Sequence, residues 1–101
     1  MDSVTPNLKQ VRESLRRLLP ELRRQYKIAS LGIFGSYVRK EQRADSDLDL
    51  LVTFDETPSL LKLIELENHL SDALGVKVDL VLKDSLKPQI GERVLAEVLP
   101  V

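Results

Sequence analysis

Six residues carry the chemistry this sequence can do: Gly35 and Ser36, then Arg39, then Asp47 and Asp49 after ten residues that follow the serine, and a later Asp79. On an extended strand, successive side chains point to opposite faces. In "DLDLLVTF", Asp47, Asp49, Leu51 and Thr53 therefore share one face, and Leu48, Leu50, Val52 and Phe54 share the other. In "VKVDLVL", Asp79 lies opposite Val76, Val78, Leu80 and Leu82 in the same way. If the two strands are neighbours with their aliphatic faces on one helical layer, three carboxylates converge on the other side. Such a cluster repels itself unless a cation compensates. With no cysteine and one histidine in the chain, an all-oxygen site suits a hard ion such as Mg²⁺, held by a few carboxylates plus substrate phosphates. Two such ions about 4 Å apart activate an attacking hydroxyl and stabilise a leaving phosphate oxygen, which is phosphoryl or nucleotidyl transfer.

Gly35 and Ser36 fit the other half of that reaction. A glycine at a strand end lets the backbone approach a ligand. The first turn of a following helix offers free N–H groups to an anion, and Ser36 adds a hydroxyl. Arg39, three residues on, lies on the same side of that turn, within reach of a phosphate or a carboxylate. No Gly-Lys-Ser/Thr follows, so this is not a P-loop.

The elements that must position these residues follow from periodicity. Apolar residues from Asn7 to Tyr26 recur at three- and four-residue steps, predicting a long amphipathic helix with a bend at Pro20. Its other positions hold Lys9, Arg12, Arg16, Arg17, Arg23, Arg24 and Lys27. That face reads as a solvated surface in preference to a docking site for an acidic partner or RNA. A buried strand over 28–34, a short helix from Ser36 to Glu41, a strand over 47–54, a helix over 59–74 stopped by Gly75, a strand over 76–82 and a helix from Pro88 to Glu97 complete the order, with "VLPV" as a tail or short edge strand. The alternation predicts an α/β fold with a small sheet, in one domain over residues 1–101.

Composition agrees with a soluble globular chain: 101 residues, 43% hydrophobic, 31% charged and only 4% aromatic. A net charge of -1 leaves no basic footprint demanding nucleic acid. The opening residues lack a signal-peptide layout and no apolar run approaches the roughly 20 residues of a membrane span, so the expected location is cytoplasmic. His69 lies off the apolar stripe of its helix and reads as a surface residue, whereas Tyr37 fits either the core or a nucleotide.

Gly35-Ser36, ten residues, Asp47-Leu48-Asp49 and a later strand with Asp79 resemble the minimal nucleotidyltransferases of the DNA polymerase β-like superfamily, and most closely its antitoxin members that accompany HEPN-domain RNase toxins. The likeness extends over the whole chain, including "LKPQIGERVLAEVLPV". It implies a small mixed sheet with helices on one side, ATP and Mg²⁺ (two ions), and transfer of AMP to a hydroxyl. In the antitoxin members that hydroxyl belongs to a tyrosine of the HEPN-type toxin, which is silenced. By the same likeness Gly35, Ser36 and Arg39 bind the nucleotide, Asp47 and Asp49 bind both metals, and Asp79 completes the catalytic metal site and assists deprotonation of the nucleophile. One departure is Lys40, where many relatives have glycine. So small a domain has little surface left to enclose both nucleotide and acceptor, so a partner protein is expected to complete the site. Two other readings are an antitoxin that neutralises by contact alone, and nucleotidyl transfer to a small molecule or RNA.

Overall fold

The structure, a computed structural model, describes residues 6–43 and 45–101. Residues 1–5, on which the reading of the leading segment rests, and Ala44 in the polar stretch before the aspartates lie outside the described residues. Helix α1 runs Leu8–Tyr26, with Asn7 and Gln10 capping each other's backbone and Pro20 inside it. Strand β1 (Ile28–Phe34) leads through Gly35 into the single turn α2 (Ser36–Arg39). Then come β2 (Leu48–Phe54), α3 (Leu60–Leu74), β3 (Val78–Leu82), α4 (Pro88–Glu97) and β4 (Leu99–Pro100). A 3₁₀ turn over Lys83–Ser85, unforeseen from periodicity, joins β3 to α4.

The four strands form one mixed sheet in the order β3-β2-β1-β4. β1 pairs antiparallel with β2 and β4, while β2 and β3 run parallel, as a helical crossover requires. Leu48, Leu50 and Val52 of β2, Leu31 and Ile33 of β1, and Val78 of β3 face Val11, Leu15, Leu22, Leu66 and Leu70 of α1 and α3 in the main core. That aliphatic layer uses one face of the sheet, and the aspartates emerge on the other. Tyr37 joins this core with no exposed surface, and its hydroxyl finds no hydrogen-bond partner among the described residues. Of the two places open to Tyr37, the core is the one it takes.

Several surface residues behave as expected, with one difference. His69 is exposed and meets Tyr26 edge-on at 6.2 Å between ring centres. Most basic residues of α1 are exposed, but Arg12 is half-buried and its Nε donates to the Pro100 carbonyl at 3.2 Å, tying the last strand to the first helix. Lys40, the departure noted above, adopts the left-handed conformation (φ 60°) at the end of α2. A glycine would take that conformation without a side-chain penalty.

The outer edge of β3 is closed from within the chain. In a parallel pair, alternate amides of an edge strand point away from the sheet. The Val78 N–H donates to Ser71 Oγ at 3.0 Å and the Leu80 N–H donates to Glu67 Oε2 at 3.0 Å, both acceptors being on α3. These side chains fix α3 to the strand and occupy donors that would otherwise pair with another chain. Replacing Glu67 by alanine should cost about 1–2 kcal/mol by stranding a part-buried amide, lowering Tm by roughly 4–15 °C. Lys40→Gly should raise stability by about 0.5–1 kcal/mol. Denaturant titration of the three proteins checks both.

Candidate active site

The site is built where β1 ends, β2 begins and α4 ends. In β2 and β3 the parallel register places Asp49 directly opposite Asp79. Asp47 precedes β2 by one residue, and alternation gives it the same face. Across the other edge of β2, Asp49 pairs with Phe34, the last residue of β1. The chain then turns at Gly35 with φ 83° and ψ -150°, a conformation that only glycine adopts readily.

A second constraint acts on the same glycine. A Cβ built on Gly35 would overlap the Asp49 carboxylate, with even the carboxyl carbon only 3.0 Å away. The Asp49 side chain thus lies against the bare Cα of Gly35. The glycine-serine pair and the aspartate pair, separate motifs in sequence, are one packed unit in space.

An open cavity of about 600 Å³ adjoins this unit, walled by Gly35, Arg39 and Asp49 on one side and by Ile90, Arg93 and Glu97 of α4 on the other. This volume is of the size that small-molecule ligands occupy. Ser36, Asp47 and Asp79 stand outside its wall. Glu97 belongs to the site and was missed from sequence. Its Oε2 accepts the Gly35 N–H at 2.7 Å, and both its oxygens lie 3.1 Å from Arg39 Nη1. The Gly35 amide is therefore already engaged, and the Val38 and Arg39 amides donate to the Gly35 carbonyl, leaving the Ser36 hydroxyl and the Ser36 and Tyr37 amides for a ligand. A signal was present: a carboxylate in the last turn of a helix opposes the helix dipole.

Electrostatics concentrate on Asp49. Half-buried, its carboxyl is pushed up to about 6, first by desolvation, then by the charges of Asp79 and Asp47, against a lowering by Arg39. Hydrogen bonds to Glu41 and then Glu97 raise the Arg39 pKa, so the guanidinium stays charged. Neither Asp47 nor Asp79 forms an ion pair with a described residue. Of the three aspartates, Asp49 is the one that the charge of Arg39 reaches, and that arginine is itself paired with Glu41 and Glu97. Among the described residues no three carboxylate or histidine side chains stand close enough together to hold a metal ion unaided. The donors nevertheless fit a hard cation that takes one or two carboxylates and completes its shell with water and phosphate oxygens. An uncompensated carboxylate at about 6 is the group such an ion would relieve.

The chain is similar to several known proteins. Residues 15–99 match the family described as "Nucleotidyltransferase domain". The chain is 56% identical over 81 residues to the protein adenylyltransferase MntA of Thermococcus cleftensis, covering 80% of this chain and 82% of the relative. In structure it is similar to a solved chain assigned as a minimal nucleotidyltransferase, with TM-score 0.83, 37% identity and coverage of 98% and 100% of the two chains. It is also similar to a chain in the crystal structure of a toxin–antitoxin pair with AMP-PNP, with TM-score 0.68, 27% identity and coverage of 94% and 72%.

A carboxyl whose folded pKa exceeds its ordinary 3.8 binds its proton more tightly in the folded chain than in the unfolded one. Its contribution to stability is whole below about 3.8 and is lost as pH rises through about 6. Asp49→Asn removes that loss. Allowing for solvent screening of a half-exposed group, it should stabilise the metal-free protein at pH 8 by about 1 kcal/mol, or roughly 4–8 °C in Tm. The gain should vanish at pH 4. Melting curves of both proteins across that range test this, and equal Tm values at pH 8 would contradict it.

Proposed function

The chain belongs to the nucleotidyltransferase domain family, and from that premise we propose that it is a Mg²⁺-dependent protein adenylyltransferase, transferring AMP from ATP to a hydroxyl of a partner toxin and so acting as its antitoxin. The observation that carries this reading is the register setting Asp49 beside Asp79, with the Asp49 carboxylate packed on Gly35. The name of the adenylyltransferase relative supports AMP as the group moved and protein as the acceptor. The toxin–antitoxin neighbour with AMP-PNP supports a toxin partner and a triphosphate donor. The resemblance read from the sequence narrows the partner to a HEPN-type RNase and the acceptor to a tyrosine.

In this reading the acceptor oxygen attacks the α-phosphorus of ATP, its bond to AMP forms as the bond to pyrophosphate breaks, and the acceptor's proton passes to a carboxylate. Asp47 and Asp49 would hold the metal ions, and Asp79 would complete the set with water and phosphate oxygens. Bound Mg²⁺ supplies positive charge to the phosphates and to the acceptor oxygen. Ser36 and Arg39 hold the phosphates beyond the bond that breaks. Gly35 gives Asp49 room and shapes the turn. Asp79 takes the acceptor's proton in this reading, which its exposure and its lack of an ion-pair partner among the described residues support. The open cavity leaves the acceptor side to be completed by the partner. No described helix is long and apolar enough to cross a membrane.

Intact-mass spectrometry of the toxin encoded beside this chain, after incubation with ATP and Mg²⁺, should show a gain of one or more AMP units. Asp47→Asn/Asp49→Asn should slow that gain about a hundredfold or more, and chelation of the metal should stop it. A partner that is bound and inhibited without gaining mass would instead establish neutralisation by contact alone.

A further inference from the structure

Glu97 is the last residue of α4, where the free carbonyls make a carboxylate unfavourable. Its hydrogen bonds explain why it is tolerated. Oε2 accepts the Gly35 N–H at 2.7 Å, and both oxygens face Arg39 Nη1 at 3.1 Å. On another edge of the same guanidinium, Nε donates to Glu41 Oε1 at 2.8 Å. The two carboxylates hold Arg39 by two of its three nitrogens. The third, Nη2, has no acceptor among the described residues. The Glu97 side chain is only 26% exposed, whereas that of Glu41 is 64% exposed, so Glu97 is the firmer of the two holds.

We propose that Glu97 is a positioning residue for the phosphate end of the nucleotide, acting through Arg39 and Gly35. It clamps the guanidinium so that Nη2 is presented to the β- and γ-phosphates. It also fixes the amide of the glycine on which Asp49 rests, so that the phosphate-holding and metal-holding halves of the site keep one geometry. An unheld arginine would lose its side-chain freedom when the ligand binds, whereas a clamped one has lost it already, and that pre-organisation appears as affinity. This inference rests on the ATP-dependent reading above and deepens it by assigning a role to a residue of the last helical turn.

The test is equilibrium binding of AMP-PNP and of AMP, each with Mg²⁺, to the full chain and to its variants, with melting curves in parallel. Glu97→Ala should weaken AMP-PNP binding about tenfold. It should change AMP binding by less than about twofold, because AMP lacks the phosphates that Arg39 holds. Glu97→Gln, which keeps an acceptor for Gly35 and Arg39, should recover part of the loss. In an Arg39→Ala background, Glu97→Ala should cost clearly less than it does in the unaltered chain, since only its hold on Gly35 remains to be lost. Equal weakening of both ligands, or a lowered Tm with binding unchanged, would overturn the proposal in favour of a purely structural contact. Tighter AMP-PNP binding by Glu97→Ala would overturn it in the other direction, making Glu97 an anion that competes with the triphosphate. If the unaltered chain failed to bind AMP-PNP, the ATP-dependent reading itself would fall, so the two failures are distinguishable.

Discussion

The Asp49 carboxylate rests on the bare Cα of Gly35, and most of the molecule's layout follows from keeping it there. Any side chain at position 35 would displace the carboxylate, and the positive φ of that turn independently excludes most other residues. Gly35 is in turn fixed by the end of β1 on one side and by the Glu97 carboxylate on the other. Asp49 is fixed by its register with β1 and β3. A shift of β2 or β3 by one residue would send its aspartates into the aliphatic core and its core side chains into water, so the core's own energetics enforce the site's geometry.

That geometry is costly without ligands. Burial first, and then the charges of Asp79 and Asp47, push the Asp49 carboxyl up, and Arg39 only partly offsets them. The folded chain carries a strain that a cation and a phosphate-bearing substrate would together relieve. Local destabilisation at a site that binds charge is common where function demands it. Here the scaffold bears it with an apolar layer of α1 and α3 on the far side of the sheet and with side-chain acceptors on the outer amides of β3.

The last helix carries more of the site than its sequence suggested. Helix α4 walls the cavity with Ile90, Arg93 and Glu97, and β4 follows it directly to pair with β1 beside Gly32. Arg12 secures that strand from α1. The final turn and strand therefore connect the beginning of the fold to the turn at which the chemistry is placed.

Much of this was legible in the linear order of residues. Alternation in "DLDLLVTF" identified the face of Asp47 and Asp49, three- and four-residue spacing located α1 and α3 to within a residue of their ends, and Pro88 marked the start of α4. Gly35-Ser36, separated by ten residues from Asp47, pointed to nucleotidyl transfer. These signals are local, because burial on one face of a strand or helix imposes its period on neighbouring residues. Tyr37 was ambiguous because a tyrosine after a turn suits either a core or a ligand, and only packing decides. The 3₁₀ turn was not legible because so short an element leaves no period. What the tertiary structure alone decided is the set of contacts between distant residues: Asp49 opposite Asp79, Glu67 and Ser71 on the β3 edge, and Glu97 on Gly35 and Arg39. Glu97 and Gly35 are 62 residues apart, and no local pattern ties such a pair together. Their meeting depends on strand order, on the parallel crossover and on where the last helix comes to rest, which the chain settles only by burying its apolar surface as a whole.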